Sequence, residues 1–418
     1  MRVTRFIVWL LAAAAIGGCA GRPVSERITQ FDPNSGYRPY LLLPKRKNND
    51  QSTLFILTFS GGGTRAAAFS YGVLEELRRT EIVMNGQRRR LIDEVDVMLG
   101  VSGGSFTALA YALYGERLFD EYEQRFLKRD VEGELLSRAL NPLNWWKYIG
   151  GSAGRSELAA ELYDEILFEN ATFADLLDKQ APVAIATGTD ISTGSRLAFF
   201  QNDFDLLCVD LNKVRLSRAA ATSSAVPVVL SALTYDNYGG SCGYQYPAWV
   251  AEVTKTEGRV RPSARAYQRY LEMESFQNSK DRPYIHLVDG GVSDNIGVRG
   301  VLETLEGLGA SAEFRDEVGF GVVRRIVLLI VNSQASPSSD WDRQETPPGI
   351  FGQLLQSAGV PIDRYSFETV ETVKDRVEIY KWRRELLIAR ARLAGTSETE
   401  AAPATLPGWG VVEAQRCA

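Results

Sequence analysis

Histidine is almost absent from this sequence, because its 418 residues include a single one, His286. This excludes a zinc site built on two or three histidines, and any Ser-His-Asp triad would have to use His286. An excess of positive charge is also missing, with 47 Lys and Arg against 52 Asp and Glu and a net charge of -5. Phosphate contacts need clustered basic residues, so no nucleic-acid partner is expected.

Long apolar runs are lacking too, since no stretch reaches the roughly 20 residues that a transmembrane helix needs. The apolar run at residues 6–16 is preceded by two arginines and followed by Gly-Gly-Cys at 17–19, the arrangement of a secretory signal. Ile-Gly-Gly-Cys at 16–19 resembles a bacterial lipobox, in which the cysteine is lipidated and begins the mature chain. The alternative is an ordinary signal with a cysteine nearby.

We therefore interpret residues 1–18 as a signal peptide and Cys19 as the lipidation site. Residues 19–52 are rich in Pro, Asn, Gly and charge, and are predicted to be a tether with little structure. Ala20 and Gly21 follow the cysteine and neither is Asp. By analogy with Gram-negative lipoproteins, this indicates an exported protein anchored to the outer membrane and facing the periplasm.

Beyond the tether, the composition is that of a globular protein, with 45% apolar and 24% charged residues. The chain then alternates between predicted strands and predicted helices. The strands are expected at 53–59, 95–99, 183–186, 284–288 and 323–331. The helices are expected near 65–79, 106–114, 116–129, 156–168 and 296–308. This alternation predicts an α/β fold with a mainly parallel sheet that is covered on both faces.

Two segments do not fit the alternation. Residues 235–283 combine a Gly/Tyr-rich loop with a charged helical stretch, and are predicted to be an insertion near the mouth of the site. The second is the C-terminal extension at 336–418, in which a Ser/Pro/Asp loop that begins after Asn332 runs to Pro348 and a long charged helix is predicted near 363–393. This helix is expected to be an appendage that packs on the domain formed by residues 53–335.

The sequence Gly-Val-Ser-Gly-Gly at 100–104 matches G-x-S-x-G between a predicted strand and a predicted helix. This context is that of a nucleophile elbow, whose tight turn leaves no room for side chains at Gly100 and Gly104. Ser102 would then project above the sheet as a nucleophile. The alternative is a structural turn, because G-x-S-x-G also occurs by chance.

Gly61, Gly62 and Gly63 also lie between a strand and a helix, followed closely by Arg65. Successive glycine N–H groups can converge on an anion, so the loop could form an oxyanion hole or a phosphate cradle. Neither the P-loop nor the dinucleotide fingerprint is present. Arg65 is a candidate to hold the loop or to contact an anionic head group.

Asp289 ends another predicted strand and is followed by Gly290 and Gly291. A carboxylate there could act as a base that the backbone approaches closely, and the alternative is a common Asp-Gly turn. All three motifs follow predicted strands, and the carboxyl ends of strands are where open α/β sheets form their sites.

In this order the three motifs resemble those of the patatin-like phospholipase family. Two further blocks are similar: residues 218–227 (RAAATSSAVP) resemble an Ala/Ser-rich helix, and residues 184–194 resemble a strand motif with one extra residue here. Gly297 departs from the proline that often occupies its position. The resemblance covers about residues 53–335, and it implies a three-layer α/β/α sandwich with the C-terminal helices outside it.

The resemblance also implies lipid acyl hydrolysis by a Ser-Asp dyad, with Ser102 as nucleophile, Asp289 as base and the glycine loop as oxyanion hole. No metal or cofactor is needed for this chemistry, and membrane phospholipid or lysophospholipid is the expected substrate. Two alternatives remain: a Ser-His-Asp esterase of the α/β-hydrolase type, and a non-catalytic lipoprotein that binds lipid or a partner. His286 is expected to be packed in the core, well away from Ser102.

Three cysteines follow Cys19 and would be exported with the chain. Cys208 lies in an apolar run and is expected to be buried and unpaired. Cys242, in a glycine loop, and Cys417, near the terminus, are the pair that could form a disulfide.

Overall fold

The computed structural model describes residues 22–47, 49–84, 86–141, 154–227, 229–255, 264–311, 314, 318–334, 340–394 and 408–415. The predicted signal peptide and Cys19 lie outside these residues, as does Cys417. Across the described ranges, no helix combines the length and apolarity that crossing a membrane requires.

The centre of the molecule is a mixed sheet to which the described chain contributes eight strands, in the order β10-β9-β1-β4-β5-β8-β7 with β6 paired to β5. The first five of these are mutually parallel, as the sequence predicts, while β6, β7 and β8 are antiparallel to their neighbours. A separate hairpin is formed by β2 and β3. The strand bounds are β1 Thr53–Phe59, β2 Glu81–Met84, β3 Gln87–Arg90, β4 Val95–Gly100, β5 Val183–Asp190, β6 Arg196–Ala198, β7 Leu233–Asp236, β8 Tyr284–Asp289, β9 Arg325–Asn332 and β10 Gly408–Gln415.

Helices cover both faces of this sheet, because successive residues of a strand point to opposite faces and nearly all residues of β1, β4 and β5 are buried. The result is the three-layer α/β/α sandwich that the resemblance implied. The helix bounds are α1 Pro39–Leu42, α2 Gly63–Arg79, α3 Gly103–Tyr114, α4 Leu118–Tyr122, α5 Val131–Leu140, α6 Arg155–Tyr163, α7 Gln201–Leu206, α8 Leu216–Ser223, α9 Ala248–Thr254, α10 Ala264–Gln277, α11 Gly291–Asp294, α12 Arg299–Ala310 and α13 Ile350–Ala394.

Strand β8 runs against the parallel strands, so it approaches the edge that holds the glycine motifs from the opposite direction. Gly188 of β5 pairs with Asp289, and Asp190 pairs with Leu287. Strand β8 therefore ends at Asp289, which lies beside the carboxyl-terminal part of β5. The sequence pattern predicted the strand but not its direction.

The segment predicted as an insertion at 235–283 begins inside the main sheet, because β7 pairs with β8. Its remaining described residues include α9 and α10, which contact α7 and α12. Asp236 pairs with Tyr284 at the start of β8. The segment thus leaves and rejoins the sheet at the end of β8 remote from Asp289, and not beside it.

The expectation of little structure in the tether is wrong for residues 22–47 and 49–52, which pack along the domain. The Tyr37 hydroxyl donates a hydrogen bond to the Ala184 carbonyl at 3.1 Å. Arg38 is buried and forms an ion pair with Asp205 at 2.6 Å. The composition of this segment is that of a linker. Its packing could not be predicted, because the partners of these side chains lie far away in the sequence.

The C-terminal helix α13 is present as an appendage, although it begins before the expected residue 363. Its buried side chains include Ser366, Val370, Val373 and Val377, whose spacing of three or four forms one face of a helix. This face packs against α12 and β9, where Leu328 lies. Strand β10 was not predicted, so the extension is not wholly helical.

The predicted pairing of Cys242 with Cys417 is wrong, because Cys242 forms a disulfide with Cys208, with Cα atoms 5.7 Å apart. The two half-cystines lie beside the amino-terminal segment. Ile28 N–H donates to the Cys208 carbonyl, and Phe31 N–H donates to the Cys242 carbonyl. The disulfide therefore joins two backbone stretches that both hold this segment.

Candidate active site

Ser102 occupies the turn between β4 and α3. Its backbone φ is 49°, a positive value that residues other than glycine rarely adopt. The surrounding glycines are required by close packing. A methyl group on Gly100 would lie 2.5 Å from the Ser105 Cα, and one on Gly104 would lie 2.6 Å from the Phe59 Cβ. The sequence Gly-Val-Ser-Gly-Gly thus forms the sharp turn expected from its motif.

The side chain of Asp289 meets that of Ser102 at this turn. The Ser102 hydroxyl donates a hydrogen bond to Asp289 Oδ2 at 2.8 Å, and Gly291 N–H donates to Oδ1 at 2.7 Å. Both side chains are buried, with Ser102 only 7% exposed. Burial raises the pKa of Asp289 to about 6, although its two hydrogen bonds oppose that rise.

The glycines after Asp289 allow the backbone to pass close to β5. A methyl group on Gly290 would lie 2.5 Å from the Thr187 carbonyl oxygen. The Asp289 carbonyl also accepts a hydrogen bond from the Thr189 hydroxyl at 2.9 Å, and that hydroxyl is 2.8 Å from the hydroxyl of Ser293. These contacts fix the direction in which Asp289 leaves its strand.

The glycine loop after β1 lies across from Ser102. Gly62 and Gly63 have positive φ values of 136° and 62°, and both residues are exposed. Gly63 begins α2, whose first N–H groups have no partner within the helix. Gly61 N–H is already bonded to the Asn295 carbonyl at 2.9 Å. The candidate oxyanion donors therefore narrow from three N–H groups to those of Gly62 and Gly63.

Two residues of the site were not singled out from the sequence. The backbone carbonyl of Asn295 accepts a hydrogen bond from Gly61 N–H, and the Asn295 Oδ1 would collide with a methyl group on Gly61. Ser223, the last residue of α8, accepts a hydrogen bond from Ser102 N–H at 2.8 Å. Ser223 lies in the block at 218–227 that resembles a family motif, and Asn295 lies four residues after the Asp-Gly-Gly motif, so these stretches were visible in the sequence but their contacts were not.

His286 lies apart from this pair. It is an exposed residue of β8, and its Nδ1 is 3.0 Å from the Thr234 hydroxyl. The expectation that it is packed in the core is wrong, because the face of β8 that carries it is uncovered at this point. A triad would need the imidazole to contact both Ser102 and a carboxylate.

Arg65 lies on the exposed side of the glycine loop, with its Nη2 3.2 Å from the position of a methyl group on Gly62. It also faces Asp363 of α13. Burial raises the pKa of Asp363, and the nearby Arg65 guanidinium partly offsets that rise. Arg65 thus links the glycine loop electrostatically to the C-terminal helix.

Among the described residues, no cluster of His, Cys, Asp and Glu is suited to hold a metal ion.

Fold and site together define a class of α/β/α protein in which a serine at a strand–helix turn is paired with a buried carboxylate. The model of the family "Patatin-like phospholipase" matches residues 57–302, which is more than half of the chain. The chain therefore belongs to the patatin-like phospholipase family.

Comparison with solved structures finds human GIVD cytosolic phospholipase A2, at 13% identity and a TM-score of 0.36. The match covers 70% of this chain and 47% of the human one. The same human protein in complex with methyl gamma-linolenyl fluorophosphonate and terbium chloride matches at 13% identity and a TM-score of 0.36, over 73% of this chain and 47% of that one. The chain thus spans about half the length of these proteins. No curated protein sequence matches it.

Proposed function

We propose that this protein is a lipid acyl hydrolase in which Ser102 is the nucleophile and Asp289 is the base. The observation that carries the proposal is the 2.8 Å hydrogen bond from the Ser102 hydroxyl to Asp289 Oδ2, at a turn of left-handed backbone. A nucleophile within hydrogen-bond reach of a base is the arrangement that covalent catalysis needs. Membership of a phospholipase family supports the same chemistry.

In the first step Ser102 Oγ attacks the carbonyl carbon of an ester, and Asp289 takes the hydroxyl proton. The carbonyl oxygen becomes an oxyanion, which accepts hydrogen bonds from the N–H groups of Gly62 and Gly63. The partial positive charge at the start of α2 adds to this stabilisation. Collapse of the intermediate breaks the ester bond, and the alcohol leaves with the proton that Asp289 returns.

In the second step water attacks the acyl-enzyme and gives a proton to Asp289. The tetrahedral intermediate collapses, the fatty acid is released, and the proton returns to Ser102 Oγ. The pKa of about 6 suits Asp289 to this role, because the carboxyl is charged at neutral pH but holds a proton better than an ordinary aspartate. Every bond that forms or breaks in these two steps involves only the ester, water, Ser102 and Asp289.

We further propose that the substrate is a membrane phospholipid or lysophospholipid and that the protein is exported and lipid-anchored through Cys19, at the outer membrane facing the periplasm. The lipobox-like run supports the anchor. The Cys208–Cys242 disulfide supports export, because disulfides persist in oxidising compartments. An anchored hydrolase would meet its substrate in the surrounding bilayer.

The experiment that tests the activity is mass-spectrometric analysis of the products formed from mixed membrane lipids by the wild type and by Ser102→Ala. Fatty acid should be released by the wild type alone, and the products identify the head group and the acyl position. Release by neither protein would favour the alternative of a non-catalytic lipid-binding lipoprotein. Release by both would mean that Ser102 is not the nucleophile.

A further inference from the structure

The amino-terminal segment is attached to the domain from Arg22 onward. Arg22 Nη1 donates a hydrogen bond to Asp236 Oδ2 at 2.8 Å, and Ser25 N–H donates to the same oxygen at 2.8 Å. Asp236 is the last residue of β7 and pairs with Tyr284 of β8. The described chain therefore starts as a docked segment at the β7–β8 edge of the sheet.

This docking limits how far the proposed lipid anchor can lie from the domain. Only Ala20 and Gly21 separate Cys19 from Arg22. Consecutive Cα atoms are about 3.8 Å apart, so the Cys19 Cα lies within about 11 Å of the Arg22 Cα. The head-group layer of a bilayer leaflet is only several ångströms thick. A lipid chain on Cys19 inserted in the bilayer would thus bring the β7–β8 edge to the membrane surface.

The surface at this edge has the composition that suits a bilayer interface. Val24 is 72% exposed, Ile191 is 57% exposed and Tyr284 is 50% exposed. The Arg22 guanidinium lies 5.1 Å from the centre of the Tyr284 ring. Ile191 N–H bonds to the His286 carbonyl, which brings Ile191 beside β8. The Arg22 side chain is only 12% exposed and is ion-paired with Asp236, so it supports the Tyr284 ring from below and does not present its charge to solvent. Exposed aromatic side chains such as Tyr284 are typical of the membrane–water boundary. We call Val24, Ile191 and Tyr284 the anchor-proximal patch.

We propose that the anchor-proximal patch rests on a lipid surface and holds the domain in one orientation on the membrane. This proposal depends on the lipidation of Cys19 proposed above. Asp289 lies five residues beyond Tyr284 on β8, which corresponds to about 16 Å of strand. The anchor, the patch and the site are thus joined by one rigid strand, so the Ser102–Asp289 pair is held close to the bilayer.

The test uses the full-length lipoprotein, purified from membranes and reconstituted into vesicles. A fluorescent thiol probe is attached at Tyr284→Cys in a Cys417→Ser background, and quenching by nitroxide-labelled head groups is measured. The control is Val83→Cys, because Val83 is at least as exposed as Tyr284, at 72% against 50%, but lies on the β2–β3 hairpin. Strong quenching at position 284 and little at position 83 is expected. Equal quenching at both positions, or none at either, would overturn the proposal.

A second comparison relates the patch to turnover. The double variant Val24→Asp and Ile191→Asp should lose most of the quenching at position 284 and hydrolyse vesicle phospholipid several-fold more slowly. Its turnover of a water-soluble ester should be unchanged, because neither residue contacts the site. Undiminished quenching in this variant would contradict the role of the patch. Absence of soluble-ester turnover in the wild type would contradict the proposed function alone, and the quenching result would still decide the orientation.

Discussion

At the scale of single residues, the buried carboxyl of Asp289 sets an expected pH dependence. Only the charged form can accept the Ser102 proton, and burial raises its pKa to about 6. The kcat/KM for a water-soluble ester should therefore fall about tenfold per pH unit below about pH 6 and be level above it. Circular dichroism at each pH checks that the chain stays folded. A profile without a change between about pH 5 and 7 would contradict Asp289 as the base.

Because burial disfavours the charged form of Asp289, a substitution that removes this charge should stabilise the folded protein. A rise in the pKa from 3.8 to about 6 corresponds to up to about 3 kcal/mol of destabilisation while the carboxyl is charged. In Asp289→Asn, Oδ1 can still accept from Gly291 N–H, and Nδ2 can donate to Ser102 Oγ. We expect this variant to be inactive and to have a higher Tm than the wild type at about pH 8.

The sign of this effect follows from the direction of the pKa shift. The penalty in the wild type is fully present above the folded pKa of about 6 and disappears below the unfolded value of 3.8. The difference in Tm should therefore shrink between about pH 8 and pH 5. Calorimetry of both proteins across that range measures it. A variant less stable than the wild type at pH 8 would mean that the charged carboxylate is needed for packing.

His286 provides a test of the dyad against the triad. Because its side chain is exposed and contacts Thr234, His286→Gln and His286→Phe should retain most of the soluble-ester turnover. Ser102→Ala should lower turnover by several orders of magnitude, as removal of a nucleophile does. Initial rates of the purified, folded variants make the comparison. A His286 variant as inactive as Ser102→Ala would revive the triad.

At the scale of secondary-structure elements, the disulfide joins α7 and its following turn to the loop after β7. Cys208 and Cys242 are separated by 34 residues, and closing a loop of this size stabilises a protein by about 2–4 kcal/mol. The double variant Cys208→Ser and Cys242→Ser should have a clearly lower Tm, with Cys417→Ser as the control. Peptide mapping without reducing agent that finds Cys242 bonded to Cys417 would contradict the pairing.

The elements that the sequence pattern predicted are those defined by local signals. Strand β1, the glycine loop and α2 follow one another within residues 53–79, and an apolar run, three glycines and an amphipathic face are each visible in a short window. The same holds for the turn at Ser102. Proximity of Ser102 and Asp289 was inferred from family resemblance, because their separation in the chain gives no local signal.

What could not be predicted depends on partners that are distant in the sequence. The antiparallel direction of β8 is set by its pairing with β5 and β7, and the packing of Arg38 is set by Asp205. Asn295 contributes a backbone carbonyl to Gly61, and a carbonyl carries no side-chain signature. The predicted pairing of Cys242 with Cys417 is wrong for the same reason, because Cys208 and Cys242 are 34 residues apart in the sequence and become neighbours only in the folded chain.

At the scale of the whole molecule, the proposed anchor can be separated from the folded domain. Cys19→Ser should yield a protein that carries no lipid and is released from membranes, because one small apolar patch binds a bilayer only weakly. Fractionation and intact-mass measurement of the exported protein check both points. The folded variant should keep its soluble-ester turnover. Quantitative partitioning of Cys19→Ser with membranes would show that another surface is sufficient for attachment.

The pairing of β1 with β9 also has a consequence for the synthesis of the protein. Phe59 pairs with Val331, so one edge of the apolar strand β1 has no partner until the chain is largely complete. If the protein crosses a membrane unfolded with its amino end first, β1 arrives long before β9. An open apolar edge is a template for aggregation. Fragments that end before residue 325, whether from stalled translocation or from proteolysis, should therefore aggregate more readily than the complete chain.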